Sequence, residues 1–277
     1  MKTIQWFPGH MTKALRMMEE NLKLVDGVVL VLDSRAAFAC LNPVHGKMFA
    51  AKPAVYALNK CDLVEKADAD RLISHFAAEG KRAVAVNAFD KRSVGKLKEQ
   101  IFAALEEKRR KNREKGMNKA LRVMVAGIPN TGKSTIINAL AGEKKAVTGD
   151  KAGVTKGKQW IKIGDLELLD TPGTMPPSFE NQTYAKHLAY LGSINDDILD
   201  FEELTLELLT ELAQQKPRLL TEKYGITDFA VEPSELYNAV CRRRGFLLKG
   251  GEYDYERCAK AVIDDFRKGR IGKIALE

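Results

Sequence analysis

LRVMVAGIPNTGKSTIINALAG, Leu121–Gly142, is the stretch that decides the fold. It opens as an apolar run of buried-strand type and closes with the apolar spacing of a helix. Between the two lies GIPNTGKS, Gly127–Ser134, an instance of the pattern GxxxxGK[ST]. A loop that wraps a triphosphate needs glycines, because backbone N–H groups must approach phosphate oxygens with no Cβ in the way. Gly127 ends the strand, and Gly132 permits the turn into a helix whose N-terminal dipole favours anions. Lys133 then reaches the β- and γ-phosphates, and the Ser134 hydroxyl suits Mg²⁺. By average composition the pattern arises by chance in roughly one chain of this length in a hundred. Here it stands between strand and helix, as its chemistry requires. The candidate phosphate contacts are Asn130, Thr131, Gly132, Lys133, Ser134 and Thr135, with Lys133 also a catalytic candidate.

Upstream, the apolar run AVYAL, residues 54–58, leads into NKCD, Asn59–Asp62. The Asp62 carboxylate can accept hydrogen bonds from guanine N1–H and the 2-amino group. Adenine would present a lone pair there and no 2-amino group, and a buried polar group left unpaired costs about 1–3 kcal/mol. Asn59 can brace neighbouring loops, the Lys60 stem can lie over the base plane, and Cys61 completes the motif. Asn87-Ala88, after the next apolar run, is the candidate loop for guanine O6. Downstream, Asp170 ends a strand in DTPG, the place for a carboxylate that holds Mg²⁺ through water, and the Gly173 N–H can meet the γ-phosphate. Thr155, in the intervening AGVTKG, is the candidate hydroxyl that closes over Mg²⁺. These motifs together imply GTP/GDP and Mg²⁺ as ligands.

The order of the motifs is unusual. Ras-type GTPases run phosphate loop, Thr, DxxG, then NKxD, whereas here NKCD and Asn87-Ala88 come first. This reads as a circular permutation, tolerable because domain termini lie close together. The basic segment 108–119, KRRKNREKGMNK, would join the old ends. The new break falls just after DTPG, so the N-terminal segment and everything C-terminal hang from the loop that senses the γ-phosphate.

Strand-type runs at 25–34, 54–60, 82–88 and 121–127 alternate with helical stretches at 66–80 and 93–107, which predicts a mostly parallel sheet with helices on both faces. QWIKI (159–163) and LELLD (166–170) read as a hairpin, and an amphipathic helix begins at about Thr12. After Pro176-Pro177 the strand signal stops, and about Glu180 to Glu277 reads as helical throughout. The expected fold is α/β: a circularly permuted P-loop GTPase domain over 1–178, with an N-terminal extension at 1–24, and an all-helical domain over 179–277. The stretch 193–215 carries seven acidic residues and no Lys or Arg, whereas the tail from Cys241 carries ten Lys/Arg against six Asp/Glu.

Composition limits the remaining options. Hydrophobic residues make up 45% of the 277 residues and charged residues 30%, ordinary for a globular chain. No run of about 18 apolar residues exists, so no membrane partner is expected. The N-terminus lacks the apolar core of a signal peptide, and Cys40, Cys61, Cys241 and Cys258 form no CxxC pair, which points to the reducing cytoplasm. A net charge of +8 and a pI near 9.2 favour a polyanionic partner.

The permuted order, WFPGHM at Trp6–Met11, NKCD, GIPNTGKS, DTPG and the tail GGEYDYERCAKAVIDDFRKGRIGKI together resemble the YlqF/RbgA family of permuted GTPases, over nearly the whole chain. The resemblance implies late assembly of the bacterial large ribosomal subunit, a C-terminal domain that binds ribosomal RNA rather than DNA, and hydrolysis stimulated by the precursor particle. It also implies catalysis by His10, and K⁺ held near the phosphates by Asn130. Two departures stand out. Thr174 occupies the position where Ras-type enzymes place a water-orienting Gln and where relatives usually carry an apolar residue; Thr is too short for that work, and His10 fits it instead. The base loop continues into Phe89 and lacks the usual Ser. His45, His75 and His187 are assigned surface or packing roles. Two rivals remain at this point: an RNA-binding placeholder in which hydrolysis is incidental, and a P-loop small-molecule kinase, which NKCD disfavours.

Overall fold

Buried apolar runs that alternate with amphipathic stretches can satisfy their backbone groups by pairing in parallel, with helices laid on both faces. The computed structural model describes residues 3–117, 119–142 and 159–277, and among these it has six strands. They are β1 (Gly27–Asp33), β2 (Ala54–Asn59), β3 (Arg82–Ala85), β4 (Leu121–Ala126), β5 (Gln159–Ile163) and β6 (Leu166–Asp170). The sheet order is β3-β2-β1-β4-β6-β5, parallel except for the β5–β6 hairpin.

Side-chain alternation sorts the two faces. Val29, Val31, Val123 and Val125 pack against α4 (Lys91–Ala104) and α6 (Lys133–Ala141). Their neighbours Val28, Leu30, Met124 and Ala126 pack against α1 (Gly9–Leu22) and α2 (Pro43–Phe49). All seven residues of β1 are buried, as expected of a strand covered on both faces. α3 (Lys66–Ala78) contributes Leu72 and Phe76 to a third core that also holds Leu32 and Leu58.

Two elements differ from the expectation. α2 carries no long periodic pattern, yet Pro43 sits in its first turn and Asn42 caps it, Oδ1 accepting from Val44 N–H at 2.9 Å. The basic segment, read as a helix end and linker, is helical as far as Glu114, in a helix of its own, α5 (Glu106–Glu114). Glu106 and Glu107 in its first turn and Lys111 and Arg113 in its last complement the helix dipole, and Lys108 reaches Asp26 at 3.3 Å.

Beyond the sheet, α7 (Gln182–Tyr190), α8 (Phe201–Gln215), α9 (Pro217–Tyr224), α10 (Pro233–Arg244) and α11 (Tyr255–Arg267) gather around α8. Leu204, Leu208, Leu209 and Leu212 of α8 are fully buried. At about 1.5–3 kcal/mol per buried leucine, they outweigh repulsion among its acidic residues, worth a few tenths of a kcal/mol per pair. The same core runs on into Ile128 and Met175, beside the phosphate loop and after DTPG. The N-terminal segment clamps this junction. Ile4 N–H donates to Gln182 Oε1 at 2.8 Å, and Met175 N–H donates to Met11 Sδ at 3.3 Å.

Candidate functional site

The sheet places its motifs at one edge. The strand order reverses between the parallel neighbours β1 and β4, the crevice where open α/β sheets take ligands beyond the carboxyl ends of their strands. The register aligns Asp33 with Asn59 and Val125 with Asp170, so NKCD, GIPNTGKS and DTPG all begin at that edge.

Gly132 caps α6 at φ +90, and a Cβ there would lie 2.3 Å from Asn59 Nδ2, so the turn tolerates only glycine. Behind it, Thr131 Oγ1 donates to Ile128 O at 3.1 Å, and the buried Lys133 folds back across the loop to donate to Ile128 O at 2.8 Å. Burial pulls Lys133 down to about 8 against the opposing pull of Asp170. Such an ammonium gains most from an arriving phosphate. Ser134 Oγ donates to Asp170 Oδ2 at 3.0 Å, which brings a hydroxyl and a buried carboxylate together at the mouth of the loop. Two hard oxygen ligands so placed suit Mg²⁺. Thr135 is half-buried on the next residue of α6, and Thr155 lies outside the described residues.

On the base side, Asn59 is buried and its Nδ2 donates to Thr131 O at 2.8 Å, the bracing role expected of it. Lys60 adopts φ +57, and its Nζ is tied to Asn130 O at 3.0 Å and to Asp33 Oδ2 at 2.8 Å. Asp62 is exposed at the rim, in a short turn that Cys61 N–H anchors to Val86 O at 3.2 Å. Asn87 Oδ1 accepts from Phe89 N–H at 2.9 Å while Ser93 Oγ donates to Asn87 O at 2.8 Å, so Ser93 supplies the hydroxyl that the loop lacks. Ala88 stays half-buried beside it.

On the third side, a Cβ on Gly173 would lie 2.6 Å from Pro129 N, so the DTPG loop rests directly on the phosphate loop. The next residue, Thr174, is fully buried. His10 is exposed in the first turn of α1, next to the Met11 that holds Met175.

Three residues of this neighbourhood carried no sequence signal as site residues. Asp33 and Arg35 are both buried, joined at 3.0 Å (Nε–Oδ1) and 2.8 Å (Nη2–Oδ2). Burial alone would raise Asp33, but Arg35 and Lys60 hold its carboxyl well below the usual range. Arg35 Nη1 also donates to Phe266 O at 2.9 Å and to Arg267 O at 3.1 Å, the last carbonyls of α11. The third is His45, assigned to surface or packing. It is buried, with Nε2 2.6 Å from Thr174 Oγ1. The one local signal that could have pointed to it is the helix start Asn42-Pro43, which went unread. His187 is buried against Glu211, and His75 stays at the surface, 3.3 Å from Glu79.

Comparison with known proteins gives this edge its context. A family model described as "50S ribosome-binding GTPase" matches residues 122–222, from the strand before the phosphate loop into the helical region. The match leaves NKCD outside, as a permuted order requires. A protein named ribosome biogenesis GTPase A from Priestia megaterium is 39% identical over 99% of this chain and 96% of its own length. The chain belongs to the ribosome biogenesis GTPase A family. The family's protein from Bacillus cereus is 37% identical over 99% of this chain and 93% of its own. Among solved structures, GNP-bound YlqF from T. maritima is similar with a TM-score of 0.66 and 27% identity, over 96% of this chain and 97% of that one. Membership of the ribosome biogenesis GTPase A family makes the chain a GTP hydrolase with a permuted α/β fold and a helical C-terminal region.

Proposed function

We propose that this GTPase binds the immature large ribosomal subunit and hydrolyses GTP to drive a late assembly step and its own release. The observation that carries the reading is the direct bonding of the phosphate loop to the helical region. Asn130 Nδ2 donates to Gly192 O, and Ser193 Oγ donates to Pro129 O at 2.8 Å. Whatever the phosphates do to Pro129 and Asn130 is felt by the helices without an intermediary.

In this reading Asp62 and the Ala88 N–H select guanine, with Asn59, Lys60, Cys61 and Asn87 shaping the pocket. The N–H groups of Asn130–Thr135 and the Lys133 ammonium receive the phosphates, and the Gly173 N–H meets the γ-phosphate. Ser134, Asp170 and Thr155 would hold Mg²⁺, which supplies positive charge opposite the phosphate oxygens. His10 orients the attacking water once a docked particle pins α1, since no Gln follows Gly173. K⁺ at Asn130 is part of the same reading, and hydrolysis in KCl should exceed that in NaCl.

The helical unit 179–277 serves as the face for ribosomal RNA, supported by the excess of Lys and Arg from Cys241 onward. No described helix is long and apolar enough to cross a membrane, and the cytoplasm is the compartment the partners require. GTP turnover with and without immature large subunits tests the proposal. Particles should accelerate the wild type, whereas His10→Ala should keep its nucleotide affinity and lose the acceleration. A His10→Ala protein stimulated like wild type would remove His10 from the reaction.

A further inference from the structure

Thr174 directly follows the glycine assigned to the γ-phosphate, and it is held from three directions. Its N–H donates to Gly127 O at 3.4 Å, its carbonyl accepts from Asn42 Nδ2 at 3.1 Å, and its hydroxyl pairs with His45 Nε2 at 2.6 Å. Asn42 and His45 are the cap and the third residue of α2, so the start of that helix grips the loop at two points. Thr174 and His45 are 0% and 2% exposed, so neither can exchange its partner for water. An unpaired buried polar group costs about 1–3 kcal/mol, so each side chain is tolerable here because the other is present. Burial and the nearby Lys133 push His45 down to about 3, which leaves a neutral imidazole that adds no second cation beside the phosphates. Nothing in the binding of guanine, phosphate or Mg²⁺ calls on this pair.

We propose that His45 is a positioning residue for GTP hydrolysis: it fixes the Thr174 hydroxyl, and through it the Gly173 N–H at the γ-phosphate. The proposal rests on the nucleotide reading above, because only that reading gives Gly173 a ligand. It assigns α2 the task of presetting a loop whose far side already rests on Pro129.

The test compares wild type with His45→Leu, His45→Gln, Thr174→Val and Thr174→Ser. It reads kcat, KM, the melting temperature and the affinities for GDP and for a non-hydrolysable GTP analogue. Removing either polar partner should lower kcat about 10- to 100-fold, as a loop displaced by up to an ångström would. The analogue should lose several-fold in affinity relative to GDP, since only the triphosphate reaches Gly173. Thr174→Ser restores the hydroxyl and His45→Gln a polar partner, so both should recover most of the rate. The double variant His45→Leu/Thr174→Val should be no slower than the single ones. Should His45→Leu fail to fold, the Thr174 pair decides alone. A fall in melting temperature with kcat and the triphosphate-to-diphosphate ratio unchanged would reduce the contact to packing and overturn the proposal. Loss of GTP binding in the wild type itself would instead overturn the nucleotide reading.

Discussion

Gly173→Ala adds one methyl group at the closest approach of the two phosphate-facing loops. The new carbon would lie 2.6 Å from Pro129 N, 2.7 Å from Pro129 Cα and 3.0 Å from the Ile128 carbonyl carbon. Ordinary carbon contacts are about 3.5–4.0 Å, so the loops must part by roughly 1 Å. All three obstructing atoms are backbone, and no side chain can rotate away to absorb the strain. Overpacking of this kind costs about 1–3 kcal/mol, which for a chain of this size lowers the melting temperature by roughly 2–10 °C. The larger effect is on chemistry, because a misplacement of about 1 Å at a reacting centre can cost about 100-fold in rate. Single-turnover hydrolysis should therefore slow about 100-fold. Affinity for GDP should change less than about threefold, since the diphosphate does not extend to Gly173. Hydrolysis by Gly173→Ala at the wild-type rate would refute the assignment of this N–H to the γ-phosphate.

Three further outcomes follow from the same geometry. Asp62→Asn exchanges a double acceptor for one donor and one acceptor, so GTP binding should weaken about 100-fold or more while xanthosine triphosphate, with a carbonyl at position 2, gains; competition binding reads both. Arg35→Ala strips the buried Asp33 of its bidentate partner and frees the last carbonyls of α11. Removing one member of a buried pair costs about 3–5 kcal/mol, reduced here toward the lower end because Lys60 remains; urea unfolding measures it. Stability should also fall in alkali because of His187. Burial opposes its charge, but the hydrogen bond from Nε2 to Glu211 at 2.9 Å and the Glu277 carboxylate 3.8 Å from Nδ1 prevail and raise it from 6.5 to about 9. The group binds its proton more tightly folded than unfolded, so its contribution is complete below pH 6.5 and is lost as the pH rises through about 9. The loss is about 3 kcal/mol. His187→Gln should flatten that limb of the melting-temperature profile.

Contiguous chemistry was legible in the sequence, and long-range pairing was not. β5 and β6 match the boundaries of QWIKI and LELLD, because period-two alternation and a Gly-Asp turn are local signals. The phosphate loop, NKCD and DTPG were readable for the same reason, as each is a short run following a buried strand. α2 was missed because its seven residues are too few to show a period, and Gly46 interrupts them. Its histidine was missed with it: His45 acquires its role from Thr174, 129 residues away. Asp33 read as the end of an apolar strand and Arg35 lay just beyond it, and only the return of α11 to that strand end shows what the guanidinium bridges. Segment 108–119 was read by its positive charge alone, whereas the acids that favour its helix start, Glu106 and Glu107, lie just before it and its bases Lys111 and Arg113 fall in the last turn, as a helix dipole prefers.

On the proposed function, the nucleotide state, passed from Pro129 and Asn130 into the helical unit, governs residence on the ribosomal precursor. Co-sedimentation of the protein with immature large subunits tests it most directly, with GDP, a non-hydrolysable GTP analogue, or GTP supplied to wild type and to His10→Ala. The analogue should retain the protein, GDP should release it, and GTP should release the wild type while His10→Ala stays bound. Equal occupancy in every nucleotide state, or release of His10→Ala as fast as wild type, would contradict it.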